Sequence, residues 1–180
     1  MTRRLAVVGG GPKGAAIASK AAALRRSGHS VPDVVVFEQD QPGSAWSGHS
    51  GYTDGLQPLC TLAERDLGFP YDRDTFGTDV AHTMLADFSW PAFAVREGLD
   101  HAQYEQWVLL GRNPPAHADF ANYLAAALRN SGAQLIQAQV EALDFDAANG
   151  QWRVSWVDAS GHRSDDFFEG VVVTGSRFRC

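Results

Sequence analysis

A glycine-rich turn set between an apolar strand and an alanine-rich helix constrains this chain more than any other stretch. Leu5 to Val8 is a short apolar, partly β-branched run, and it passes directly into Gly9, Gly11 and Gly14 at G-x-G-x-x-G spacing. Ala15 to Leu24 follows without a gap and reads as a helix. Strand, tight turn and helix in that order are the context in which this glycine pattern means dinucleotide binding. Gly9 lets the chain turn sharply off the strand, Gly11 leaves room for a pyrophosphate against the backbone, and Gly14 lets the helix pack closely. The unpaired amides and positive dipole end of the helix then face the phosphates. Pro12 is tolerated because the first helical turn has no use for its missing N–H. Lys13 belongs to the same candidate set, although a solvated helix-start lysine is the plainer reading.

A second strand, Val34 to Phe37, ends in Glu38. A carboxylate there can accept both hydroxyls of an adenosine ribose and repels a 2′-phosphate, which favours FAD or NAD over NADP at this first site. The chain has 180 residues, 44% of them hydrophobic and 20% charged, which suits one globular domain. A net charge of −6 without a basic block argues against nucleic acid as a partner. No run reaches the length of a membrane span, and Met1 to Arg4 opens onto the first strand rather than a signal peptide. Cys60 and Cys180 have neither metal-ligand nor redox spacing, so reduced thiols in a cytoplasmic protein are expected.

Beyond Glu38 the composition changes. Residues 41–70 crowd Gly, Ser, Pro and aromatics together without a helix or strand period, which predicts a long ordered loop. It follows the second strand directly, where a ligand would lie, so Trp46 either faces a cofactor or covers the sheet edge. Asp79 to Phe88 has helical spacing, and Tyr104 to Leu110 could form another short helix, with Pro91, Gly98 and Gly111 as breaks. Phe88, Trp90, Phe93, Tyr104 and Trp107 read as core, and His82 and His101 share no metal-ligand spacing. Ala118 to Asn130 carries one apolar stripe and stops at Ser131 and Gly132. Strands are predicted at 134–140, 142–145 and 152–157, with Asn149 and Gly150 as a hairpin turn and Phe167 and Phe168 as an added edge. Gly170 to Val173 is a buried parallel-type strand with a small-residue exit through Thr174, Gly175 and Ser176.

Taken together, the chain resembles the N-terminal part of two-dinucleotide-domain flavoproteins: an α/β, Rossmann-like FAD-binding domain with a parallel sheet and an antiparallel β-meander, here covering 1–180. The resemblance rests on Gly9 to Gly14, Glu38, the strands between 134 and 157, and Val171 to Gly175. Three further blocks narrow it: Trp46 to Gly48; Asp54 to Thr61 running into Arg65 to Tyr71; and Pro114 and Pro115 followed by Phe120 to Leu124. These are similar to the microbial N-hydroxylating monooxygenases that act on amino acids such as ornithine and lysine. They are closer still to members that oxidise an amino acid such as aspartate towards a nitro compound (the nitrosuccinate-forming type). The resemblance implies that NADPH and O2 are consumed and that oxygen passes to a neutral amine nitrogen. It places the pyrophosphate on Gly9, Gly11 and Gly14, the ribose on Glu38, the flavin beside Trp46 and Gln57, and the adenine against the backbone of Val140. Thr174 and Gly175 close the cofactor-binding set, and no catalytic residue is implied.

The chain departs from this family in lacking a second G-x-G-x-x-G after Gly14, so an NADPH-binding region is not expected within it. Either the chain is a piece of a longer enzyme or a second chain completes it, and an end just past a core strand favours the former. Two other functions remain open on the same scaffold. One is a different flavoprotein oxidoreductase, although a disulfide reductase is disfavoured by the missing C-x-x-C. The other is a non-catalytic nucleotide-binding subunit.

Overall fold

Alternation along two apolar strands builds the fold from its centre outward. The computed structural model describes residues 3–49, 53–98, 104–105, 108–109, 111 and 113–175. The sequence-based readings at Gly51, Tyr52, His101, Trp107, Leu110 and 176–180 lie outside them. Strand β1 (Arg4–Val8) sends Val7 to one face and Ala6 to the other; β2 (Asp33–Glu38) does the same with Val34 and Val36 against Val35 and Phe37. On the first face lie α1 (Pro12–Arg26) and a later helix, through Ala15, Ala18, Tyr123, Leu124 and Leu128. On the second lie Val154 and Phe168 of the meander. A sheet buried on both faces is why these strands read as unbroken apolar runs.

The helical layer continues through a 3₁₀ turn at Ser44–Trp46 and through α2 (Arg73–Phe76), α3 (Thr78–Phe88) and α4 (Trp90–Phe93). A π-helical turn (Ala94–Gly98) and the long α5 (His117–Ser131) complete it. Pro91, expected as a break, instead sits in the first turn of α4, where Ser89 caps the helix by accepting from Ala92 N at 3.1 Å. The remaining strands are β3 (Gln134–Asp146), β4 (Gln151–Asp158), β5 (Arg163–Phe168) and β6 (Gly170–Val173). The sheet runs β5-β4-β3-β2-β1-β6.

The two strands expected at 134–140 and 142–145 are one. β3 pairs in parallel with β2 from Gln134 to Gln137, then antiparallel with β4 from Ala138 to Asp146. The register shifts between Val140 and Ala142, so the break at Glu141 is a bulge and not a strand end. β6 lies on the outer side of β1, in parallel with it, and carries Thr174 to the exit of β1. Among the described residues no helix is long and apolar enough to cross a membrane.

Candidate functional site

The exits of β1, β2 and β6 converge on the glycine turn. Gly9 has φ +108°, and its amide donates to Phe37 O at 2.8 Å. A Cβ on Gly9 would lie 2.4 Å from Thr174 Oγ1, and one on Gly14 would lie 2.0 Å from Gly9 O. Gly14 is therefore required by the turn itself as much as by the sheet. Gly11 is different, because nothing stands within 4 Å of where its Cβ would be. It is the N-cap of α1, with no side-chain cap, no acidic residue in the first turn, and Pro12 just inside. A helix end without a cap keeps its first amides available to an outside anion. Lys13 is exposed at this end.

Glu38 turns its carboxylate toward that turn. Oε2 accepts from Gly10 N at 2.6 Å and Oε1 from Asp40 N at 3.2 Å. Each oxygen retains a lone pair that a ribose hydroxyl can use. On the opposite flank Thr174 Oγ1 donates to Val8 O at 2.9 Å and, more weakly, to Gly9 O at 3.3 Å. Thr174 N also donates to Val8 O at 2.9 Å, and Gly175 beside it is exposed.

The loop that leaves β2 is hooked to the turn by Gly43 N, which donates to Gly10 O at 3.2 Å. Neither Gly10 nor Gly43 was singled out from the sequence; the signals available were the run of three glycines and the Pro42–Gly43 pair. Trp46 is half-buried, packed edge-to-face against His117 and Phe120 at the start of α5, with ring centroids 4.9 and 5.7 Å away. Gln57 is exposed, and its carbonyl accepts from His117 N at 2.9 Å. Val140 is half-buried beside the β3 bulge. Thus Gly9 to Gly14, Glu38, Thr174 and Gly175 are brought together, whereas Trp46, Gln57 and Val140 make no hydrogen bond to the turn among the described residues.

Further along the loop, Asp66 organises its own surroundings. Its carboxylate accepts from Tyr71 Oη at 2.6 Å, Gly68 N at 3.0 Å and Trp90 N at 2.8 Å. Burial pushes its carboxyl above the ordinary Asp value, and these hydrogen bonds offset part of the rise. Burial likewise raises the Tyr71 and Tyr123 phenols. Tyr123 Oη donates to Phe88 O at 2.5 Å and accepts from Leu67 N at 3.2 Å. A cleft of about 250 Å³ lies elsewhere, between Arg4, Arg25, Asp33 and Gln134 at the starts of β1–β3. There Arg25 is paired with Asp33 and Arg4 with Asp166.

No family model matches the chain. Over 147 residues it is 37% identical to the L-lysine N6-monooxygenase MbtG of Mycobacterium sp. (strain MCS), a match covering 81% of this chain and 33% of that protein. Its homologues are flavin-dependent N-hydroxylating monooxygenases. Among solved structures of these monooxygenases, the lysine monooxygenase NbtG of Nocardia farcinica superposes with a TM-score of 0.84 at 34% identity, covering 96% of this chain and 43% of that one. The ornithine hydroxylase PvdA of Pseudomonas aeruginosa shares the fold, with a TM-score of 0.67 at 15% identity. The chain therefore spans about a third of the curated monooxygenase it matches.

Proposed function

We propose that this chain is the FAD-binding part of an NADPH- and O2-dependent monooxygenase that hydroxylates the amino group of an amino acid. The observation that carries the reading is the uncapped start of α1 at Gly11, open to solvent and flanked by the Glu38 carboxylate. An anionic pyrophosphate fits the first, and ribose hydroxyls fit the lone pairs left on the second. The names of the relatives favour the side-chain amine of lysine as the substrate.

In this reading Gly9, Gly11, Pro12, Lys13 and Gly14 form the phosphate cradle and Glu38 holds the ribose. Val140 offers its backbone to the adenine, Trp46 and Gln57 border the flavin ring, and Thr174 and Gly175 close the site beside the turn. The chemistry FAD supplies when bound is the activation of O2, with NADPH as reductant, so that one oxygen atom goes to the amine and the other leaves as water. The protein's contribution is to hold the amine close and to exclude water. A region outside this chain would provide the NADPH site, either on the same polypeptide or on a second one.

Titration of the purified chain with FAD tests the reading. Saturable uptake with a change in flavin fluorescence is expected, together with NADPH oxidation only once the complementary region of a lysine monooxygenase is supplied. Native protein that takes up no FAD overturns it.

A further inference from the structure

Gly9, Gly10 and Gly11 are consecutive, and such a stretch is the least able of any to hold a fixed backbone by itself. In a trans peptide the carbonyl and the following N–H point in opposite directions, so gripping both ends fixes the plane. The peptide joining Gly9 to Gly10 is gripped in this way. Its carbonyl receives the longer branch of the Thr174 hydroxyl bond, 3.3 Å, from the end of β6. Its N–H donates to Glu38 Oε2, 2.6 Å away, at the end of β2. The next carbonyl, Gly10 O, accepts from Gly43 N at 3.2 Å, which in a trans peptide directs the Gly11 N–H away from the loop.

We infer that Thr174 is a positioning residue that acts on the cofactor through the Gly9–Gly10 peptide rather than by touching it. Its single hydroxyl proton is shared between Val8 O and Gly9 O, both main-chain acceptors of the turn. Glu38 is the opposing grip, so one carboxylate both orients the turn and faces the ribose. The geometry also explains why Gly9 tolerates no Cβ: the atom would collide with the gripping hydroxyl at 2.4 Å, in addition to the cost of φ +108°. With the plane fixed before ligand arrives, binding does not have to order three glycines at that moment. The ligand half of this inference rests on the dinucleotide reading of the turn; the gripped plane itself does not.

The test uses Thr174→Val, which keeps the shape and removes the hydroxyl, and Thr174→Ser, which restores it. Two readouts are compared in the full chain: amide exchange of Gly10 by NMR without ligand, and affinity for FAD and for ADP. Thr174→Val is expected to speed Gly10 exchange about tenfold and to weaken FAD and ADP by a similar factor, with Thr174→Ser within about threefold of wild type. Amides of β2 such as Val36 should exchange at the wild-type rate. The inference is overturned if Gly10 exchange is unchanged in Thr174→Val, if Thr174→Ser behaves like Thr174→Val, or if the β2 amides accelerate equally. Should Thr174→Val not fold, Thr174→Ala is read in its place. Wild-type protein that binds neither FAD nor ADP overturns the nucleotide reading alone, because the exchange measurement still judges the grip.

Discussion

At the glycine turn, side chains at the ends of the two strands that flank β1 hold the backbone and leave donors over; around Asp66, one carboxylate gathers the donors that point at it. Gly10 N is satisfied by Glu38, yet the start of α1 has no cap and Gly11 faces open space. Asp66 accepts from Tyr71, Gly68 and Trp90, and Tyr123 bridges Leu67 to Phe88. Both stretches are irregular chain folded about an acidic residue. The first leaves a helix start uncapped and open, as the proposed cofactor site requires, and the second is closed on itself. A half-buried carboxylate with a raised pKa would ordinarily draw attention as chemistry, but here donors from its own loop and from α4 already converge on it.

The largest effect that separates the two regions is expected from Asp66→Ala. It leaves the buried Trp90 amide without its acceptor and takes one partner from the half-buried Tyr71 hydroxyl, costing about 3 kcal/mol of unfolding free energy in urea titrations. The folded fraction should bind FAD as wild type does; a parallel loss of affinity would break the comparison. Glu38→Ala comes next, with the reverse signature: FAD affinity falls roughly 10- to 100-fold, while stability changes by only about 1 kcal/mol. Gly11→Ala sharpens the contrast further. Stability should stay within about 0.5 kcal/mol, because the added methyl meets nothing, whereas FAD binding weakens about tenfold if a pyrophosphate occupies that space.

The smallest effect is a pH slope. The folded-state pKa of Asp66 is raised, so the native state binds more protons than the unfolded chain between the ordinary Asp value and the raised one. Stability therefore falls as pH rises through that interval and levels off above it. Denaturation at a series of pH values should show this decline in wild type and not in Asp66→Asn. A wild-type profile that rises with pH relative to Asp66→Asn would mean that the hydrogen bonds outweigh burial.

How legible each region was follows from the same contrast. β1, α1, β2 and their glycine turn could be read because local spacing dictates them: an apolar run, three glycines, an alanine-rich helix and a terminal acid. α5 was equally plain from its apolar stripe. The Asp66 network was not legible, since only Tyr71 and Gly68 lie near it in sequence, whereas Trp90, and the Tyr123 that ties Leu67 to Phe88, come from distant positions with no periodicity in common. The break read at Glu141 was a bulge because a charged residue within an alternating strand looks like an end until its partner strand is known. β5 was longer than the Phe167–Phe168 pair suggested because Asp165 and Asp166 disguise a strand that carries polar residues along much of its length. Pro91 was taken as a stop for lack of the Ser89 cap that makes it a start. In the site, Glu38 could be placed from its position alone. The grip of Thr174 on Gly9 could not, because it joins residues from opposite ends of the chain.

Strand β3 has a practical consequence for anyone who would divide this molecule. It crosses from the parallel sheet into the meander without interruption, so the two layers share a backbone and a cut near Glu141 would sever both. The bend between β3 and β4 is the better place to open the chain. There Asp146 holds the Ala148 and Asn149 amides at an exposed tip, and new termini would leave the glycine turn intact.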